Sequence, residues 1–147
     1  MKFSPKTTKG FTLIELLIVI AIIGILASVM IPRFNVVRAK AVDANIRSSM
    51  SVLTEAGELY LDDNGDYEGW CSKSDIIRSL EEAAARSTNS ASNYKCYDGV
   101  TGFAASVPLK VQNQVATSSG TDYLCVEART SPGLFDNDLT PGAINCN

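Results

Sequence analysis

Lys9-Gly10-Phe11-Thr12-Leu13-Ile14-Glu15-Leu16-Leu17-Ile18-Val19-Ile20-Ala21-Ile22-Ile23-Gly24-Ile25-Leu26-Ala27-Ser28-Val29-Met30-Ile31-Pro32 sets the architecture of this 147-residue chain. Residues 11–31 number 21 and carry a single charge, Glu15. As a helix rising about 1.5 Å per residue they span about 31 Å, close to the hydrocarbon thickness of a bilayer. A helix in a soluble core normally keeps a polar stripe, whereas residues 16–31 are apolar apart from Ser28. A secretory signal carries a shorter apolar run, about 7 to 15 residues, before a small-residue cleavage site. A lipobox needs a nearby cysteine, and the first one here is Cys71. The segment therefore reads as one membrane crossing.

Outward from it, the two flanks differ. Residues 1–10 contain Lys2, Lys6 and Lys9 and no acid, so their removal takes the formal net charge from -3 to -6. Arg33, Arg38 and Lys40 follow the span, which leaves the lysine and arginine counts tied and the orientation undecided on charge. The cysteines break the tie. Cys71, Cys96, Cys125 and Cys146 are even in number, lie beyond the span and form no C-x-x-C pair, a pattern that fits two disulfides in an oxidising compartment outside the membrane. Glu15 is the anomaly, because a carboxylate at the centre of a membrane helix costs about 2.5 to 3.5 kcal/mol and is usually functional. A cut between Gly10 and Phe11 would create an α-amino group one turn away, able to pair with Glu15 of its own chain or of a neighbouring copy. The sequence has no histidine, which removes Ser-His-Asp and Cys-His catalysis and His-containing metal sites. Its net acidity gives no general footprint for nucleic acid.

Lys9-Gly10-Phe11-Thr12-Leu13-Ile14-Glu15 resembles the class III signal of type IV pilins and pseudopilins, a short basic leader ending in glycine before Phe-Thr-Leu-x-Glu. The resemblance continues through Gly24 and Pro32 to near Tyr60, and beyond that holds only in general layout. It implies an α+β type IV pilin fold, with a long N-terminal helix, transmembrane then amphipathic, packed on a small antiparallel sheet with a disulfide-stapled C-terminal region. It implies a leader at 1–10, a membrane and filament-core helix at 11–31, an amphipathic continuation at 32–62 and a globular head at 63–147. It further implies a prepilin peptidase that cuts after Gly10 and methylates the new N-terminal Phe11, and a Glu15 that promotes assembly by meeting the amine of an adjacent subunit. The implied partners are further copies in a helical filament, the peptidase and methyltransferase, the membrane before assembly and, indirectly, an assembly platform and its ATPase. The resemblance implies as product an extracellular pilus serving adhesion, motility or DNA uptake, with no enzymatic role, cofactor or metal expected.

After Pro32 the pattern turns amphipathic, with Ile46, Met50, Leu53 and Tyr60 at helical spacing beside Ala56 and Gly57. Gly24 is a weak helix former and Pro32 lacks a donor, so residues 24–32 are the easiest to unwind. In pili of the resembled family this stretch is often melted. Gly24 and Ser28 could instead let two helices approach closely. Asp62-Asp63-Asn64-Gly65 should stop the helix, with Gly65 as a left-handed cap. Asp62, Asn64, Asp66 and Glu68 mimic half a calcium loop, but Tyr67 stands where glycine is needed and Lys73 where the closing glutamate belongs. Asp136-Asn137-Asp138 reads as a solvated turn.

A second helix is expected over 74–86, capped by Ser72 or Ser74, with Ile76, Ile77, Leu80, Ala83 and Ala84 on its apolar face. A polar loop follows over 87–93. Strands are expected at 102–109 and 122–129, burying Phe103, Val107, Leu124 and Val126 and joined through a turn at 112–120, in a sheet of three or so strands. Four cysteines allow three pairings; Cys71 with Cys96 and Cys125 with Cys146 is favoured because each closes a loop beside an expected element. Two function classes remain. A filament subunit explains Gly10, Phe11 and Glu15, whereas a membrane-anchored exported receptor or enzyme domain leaves them without a purpose. Within the filament class, a pseudopilin of a type II secretion system is the alternative to a pilin.

Overall fold

Helix α1 runs over Leu13–Asn64, 52 residues, straight through Gly24, Pro32 and Gly57. The penalties at those positions, about 1 kcal/mol per glycine and 3 for proline, fall on a sequence otherwise rich in leucine, isoleucine, alanine and methionine. The computed structural model describes residues 10–112 and 121–146. The chain divides into two compact units between Val36 and Val37. In the first, the described side chains are exposed.

The second unit ends α1 on Gly65, whose φ of 86° is left-handed and whose N–H donates to Leu61 O at 2.8 Å. Asn64 Nδ2 donates to Tyr60 O at 2.9 Å, so two of the last carbonyls are satisfied. A short 3-10 turn over Trp70–Ser72 leads into α2, Ser74–Thr88. Neither Ser72 nor Ser74 caps this helix. Lys73 holds the extended cap position and makes no side-chain cap bond, because the 3-10 turn delivers the chain there; its carbonyl accepts the N–H of Ile77 at 2.9 Å. Asp75 supplies negative charge in the first turn. At the other end the helix outlasts its expected limit by two residues, taking in a buried Ser87, and closes on Asn89 in the left-handed conformation.

The sheet has four strands in sequential order, all antiparallel: β1 Lys95–Gly99, β2 Gly102–Pro108, β3 Tyr123–Glu127 and β4 Gly133–Phe135. The central strands obey the two-residue alternation of a pleated sheet. Phe103, Ala105, Val107, Leu124 and Val126 face the main core with Ile46, Met50 and Leu53 of α1 and Ile76, Leu80, Ala83 and Ala84 of α2. Ala104 and Cys125 face the opposite side, with Tyr97, Phe135, Leu139 and Cys146. β2 is buried at all seven positions because both its faces are covered. β3 stops short of the expected end, and the chain turns away at Arg129, whose φ is 66°. Of the turn expected at 112–120, residues 113–120 lie outside the described residues. Gln112 stitches its base, accepting the Asp122 N–H at 2.7 Å and donating from Nε2 to Leu109 O.

Phe103 is the centre of this core. Its ring stacks on Trp70 at 3.8 Å between centroids and lies 5.4 Å from Tyr67 at a tilt. It rests against the α1 backbone at Gly57, where an added Cβ would collide with ring atoms Cε1 and Cζ. Asp43, also buried, reaches from α1 to the chain just past β2 and accepts the N–H groups of Lys110 at 2.7 Å and Val111 at 3.0 Å. Gly57→Ala should therefore destabilise the head even though alanine favours helix by about 1 kcal/mol, since overpacking costs about 1 to 3 kcal/mol. Urea denaturation should show a lower midpoint for Gly57→Ala, and the double variant with Phe103→Leu should lose less than the two single losses combined.

Candidate functional site

The N-terminal segment places Gly10 and Phe11 in exposed chain ahead of α1, with Phe11 at 81% exposure. The five consecutive residues Leu16 to Ile20 are each at least 45% exposed. Five residues exceed one helical turn, so among the described residues every face of this stretch of α1 is left exposed. The helix is long and apolar enough to cross a membrane. An all-round apolar helix without intramolecular cover is either a membrane span or a contact surface for other molecules.

Glu15 sits at the start of this helix in a closed local arrangement. Its Oε2 accepts the Thr12 N–H at 2.9 Å and the Thr12 hydroxyl at 2.6 Å, while its own N–H donates to Thr12 Oγ1 at 3.3 Å. This is a capping box, in which the residue before the helix and the third residue within it satisfy each other's backbone donors. The Thr-x-x-Glu spacing at 12–15 is the sequence signal for this role of Thr12. Farther along, Gly24 has open space where a Cβ would be, so nothing among the described residues requires glycine there. Ser28 turns its hydroxyl back to Ile25 O at 2.7 Å, which satisfies it without water. Gly24, Ser28 and Pro32 all lie in continuous helix.

On the head, Cys71 is bonded to Cys96, joining the 3-10 turn to β1, and Cys125 to Cys146, joining β3 to the C-terminal tail. Glu127 reinforces the second closure, accepting the Cys146 N–H at 2.6 Å and the Thr130 hydroxyl at 3.0 Å. Residues 136 and 137 form a bend with Asn137 exposed, as a solvated turn would be, whereas Asp138 departs from that reading. It accepts the Ser106 hydroxyl at 2.7 Å and the Leu139 N–H at 2.9 Å and pairs with Lys95 Nζ at 3.0 Å. Lys95 also donates to Leu139 O at 2.7 Å. The ammonium thus supplies the positive charge at this carboxylate, across 43 positions of sequence that no local motif spans. In the calcium-like stretch, Tyr67 is core and Asp66 Oδ1 accepts the Glu68 N–H at 3.0 Å. Among the described residues no three His, Cys, Asp or Glu side chains converge to hold a metal.

Residues 5–31 match the family described as the prokaryotic N-terminal methylation motif. The type IV wide pilus major component PilA4 of Thermus thermophilus is 47% identical over 62 residues, 42% of this chain and 47% of that protein. The type IV major pilin protein PilA of Myxococcus xanthus is 35% identical over 72 residues, 49% of this chain and 32% of that one. The type II secretion system core protein G of Klebsiella michiganensis is 37% identical over 62 residues, 42% of this chain and 44% of that one. The chain spans less than half the length of each of these relatives. No solved structure gives a significant match.

The Lys95–Asp138 pair yields a pH prediction. Its hydrogen bond to Asp138 is the main cause holding the Lys95 ammonium above its ordinary range, against the opposing effect of burial. A raised folded-state value means that the stabilisation is intact at neutral pH, below the ordinary lysine value of about 10.4, and disappears as pH rises through the folded value. Lys95→Met should lower the urea midpoint at neutral pH, and as pH is raised from there its deficit against the parent chain should close only in strongly alkaline solution. A deficit that closes between pH 5 and 8 would contradict the assignment.

Proposed function

We propose that this chain, which carries the N-terminus of a type IV pilin precursor, is the structural subunit of a pilus, polymerising through α1 after its leader is removed. The observation that carries the reading is Glu15, the single charge in residues 11–31, at the head of an apolar stretch of α1 exposed on every described face. Before assembly, residues 11–31 hold the chain in the cytoplasmic membrane with the head outside, where Cys71–Cys96 and Cys125–Cys146 can oxidise. A prepilin peptidase accommodates the small Gly10 and cuts before Phe11, and methylation of the Phe11 amine keeps its positive charge. The α-ammonium then stands one helical turn from Glu15.

In lipid the pair is costly unless its members meet each other. Pairing the amine of one copy with Glu15 of the next satisfies both charges and fixes the axial offset between copies. Lipid tails and leucine are equally apolar, so leaving the bilayer for a bundle of identical helices gives little hydrophobic gain and relies on packing and on such polar contacts. Extraction therefore needs an assembly platform and an ATPase. No bond-making by the subunit itself is required. The similarity to a type II secretion core protein supports a second reading, a pseudopilin whose filament stays within the envelope. Electron microscopy of sheared cell-surface fractions separates the two, since long filaments containing this chain require the pilus.

Intact-mass measurement of the assembled subunit should find residues 1–10 absent and one methyl group on Phe11; retention of the leader would refute the maturation step. Glu15→Val should insert into membranes at least as well as the parent, yet reduce filaments severely, and normal filament yield would remove Glu15 from the assembly contact.

Residues 24–32 complete the reading. They are helical in the single chain, where every backbone group must be satisfied internally, whereas neighbouring helices in a filament can shield an extended stretch. Unwinding about eight residues from 1.5 to 3.3 Å each lengthens a subunit by about 14 Å at most. Pro32→Ala, which restores a donor, should stiffen the filament against stretching, as read by force spectroscopy; unchanged extensibility would exclude this mechanical role.

A further inference from the structure

Charge is divided unevenly along the chain beyond the apolar span. Residues 33–40 carry Arg33, Arg38 and Lys40 and no acid, whereas residues 41–147 carry seven basic residues against fifteen acidic ones. Basic residues normally collect on the cytoplasmic side of a span, so a basic collar on the side that leads to the head opposes the proposed orientation and calls for a use of its own. Arg33, Arg38 and Lys40 are exposed, with no hydrogen bond or ion pair among the described residues, and Phe34 beside them is 71% exposed. On the head, the end of α1 and the start of α2 border an open groove of about 310 Å³, wide enough to admit side chains from another molecule. Buried Trp70 lines it, and Leu59, also in its lining, is 70% exposed. Asp63 and Asp75 add carboxylates that have no hydrogen bond or ion pair among the described residues. Lys73 lies 5.2 Å from the centre of the Tyr60 ring, which leaves the groove with two carboxylates to one ammonium.

We infer that the basic collar of one copy seats in this groove on a second copy, with Phe34 against Leu59 and Arg38 against Asp63 and Asp75. The inference rests on the pilus reading, since it concerns a contact between copies in a filament. Copies repeated head to tail along a helical filament run in one direction. Phe34 and Arg38 are four residues apart on α1, and so are Leu59 and Asp63, so each pair lies on one face of the helix, one turn apart. Shifting a parallel copy by 25 residues brings both matches into register at once, a displacement of about 38 Å at 1.5 Å per residue. Apolar side chain then meets apolar, and guanidinium meets carboxylate. Arginine suits the place because its planar fork can engage a carboxylate through two bonds. The Phe11 amine and Glu15 are only four residues apart, so the collar contact joins copies farther along the axis than theirs and restrains the register independently. Anionic lipid headgroups are the other surface a basic collar could meet, but they leave the exposed Leu59 and the open carboxylates of the groove without a purpose.

The test uses full chains carrying Arg38→Asp, Asp63→Arg or both, read by the yield of sheared filaments, with the urea midpoint of each detergent-solubilised chain as the check that the head still folds. Each single reversal should cut the yield about fivefold, the upper end for one exposed ion pair, and the double reversal should bring it back to within about twofold of the parent. Normal filaments from either single reversal, or a double reversal no better than the singles, would overturn the contact. A loss in Arg38→Asp that Asp63→Arg does not rescue, beside enrichment of phosphatidylglycerol around the parent but not around Arg38→Asp in mixed-lipid nanodiscs, would give the collar to lipid headgroups instead. In a second measurement, intact filaments of the chain with Phe34→Cys and Leu59→Cys are treated with a short bismaleimide. A ladder of linked copies that neither single variant gives supports the contact, its absence ends it, and this result decides alone if a reversal unfolds the head. Absence of surface filaments from the parent chain would end the pilus reading and this contact with it, whereas parent filaments beside unaffected reversals would end the contact alone.

Discussion

An apolar helix surface that none of the described residues covers is the constraint from which the rest of this molecule follows. Residues 13–31 show leucine, isoleucine and valine on every side, and the described chain folds nothing back over them. In water such a surface is unfavourable, so it calls for cover by lipid or by other protein. That requirement explains the separation of tasks along the chain. The N-terminal part carries almost no polar groups, and each one it does carry is bonded locally: Glu15 to Thr12, and Ser28 to Ile25. A polar group left unsatisfied there would cost free energy in lipid and again in a helix bundle.

The head solves a different problem, since a small unit has little core to spend. Its solution concentrates burial on β2 and on one aromatic cluster. Phe103 packs on helix backbone at Gly57 and against Trp70 and Tyr67, so α1, the strand and the loop between the helices share one contact region. The two disulfides lie at its margins. Each closes a loop of about 20 to 25 residues, and such cross-links typically contribute about 2 to 4 kcal/mol.

What the sequence made legible tracks periodicity. The apolar run of residues 11–31 and the spacing of Ile46, Met50 and Leu53 identify helix, and the alternation around Phe103, Val107, Leu124 and Val126 identifies the two central strands. β1 and β4 lack that signal. Lys95-Cys96-Tyr97-Asp98-Gly99 and Gly133-Leu134-Phe135 are half-buried throughout, so neither face is marked by composition. The Lys95–Asp138 pair and the Asp43 clamp join residues dozens of positions apart, and no local pattern encodes them. Thr12 was readable, for the capping-box spacing stands in plain view. It was obscured because Glu15 already had an explanation as a lone charge awaiting another molecule. The N-terminus of α2 misled for the opposite reason: two serines offered caps, and a preceding 3-10 turn made them unnecessary.

The edges of the sheet bear on life in a polymer. In the proposed filament, heads would stand side by side at a local concentration far above anything in free solution, where an open strand would recruit its neighbour into a continuous sheet. One edge here is three residues long and runs directly into Asp136-Asn137-Asp138. The other bears Lys95 and Asp98 and is tethered by Cys96 to the turn below it. Neither offers the long, flat, uncharged template that strand addition needs. Crowded heads of this design could therefore touch through side chains while their backbones stay separate, which would keep the proposed lattice of helices from being overwritten by amyloid-like pairing at its surface.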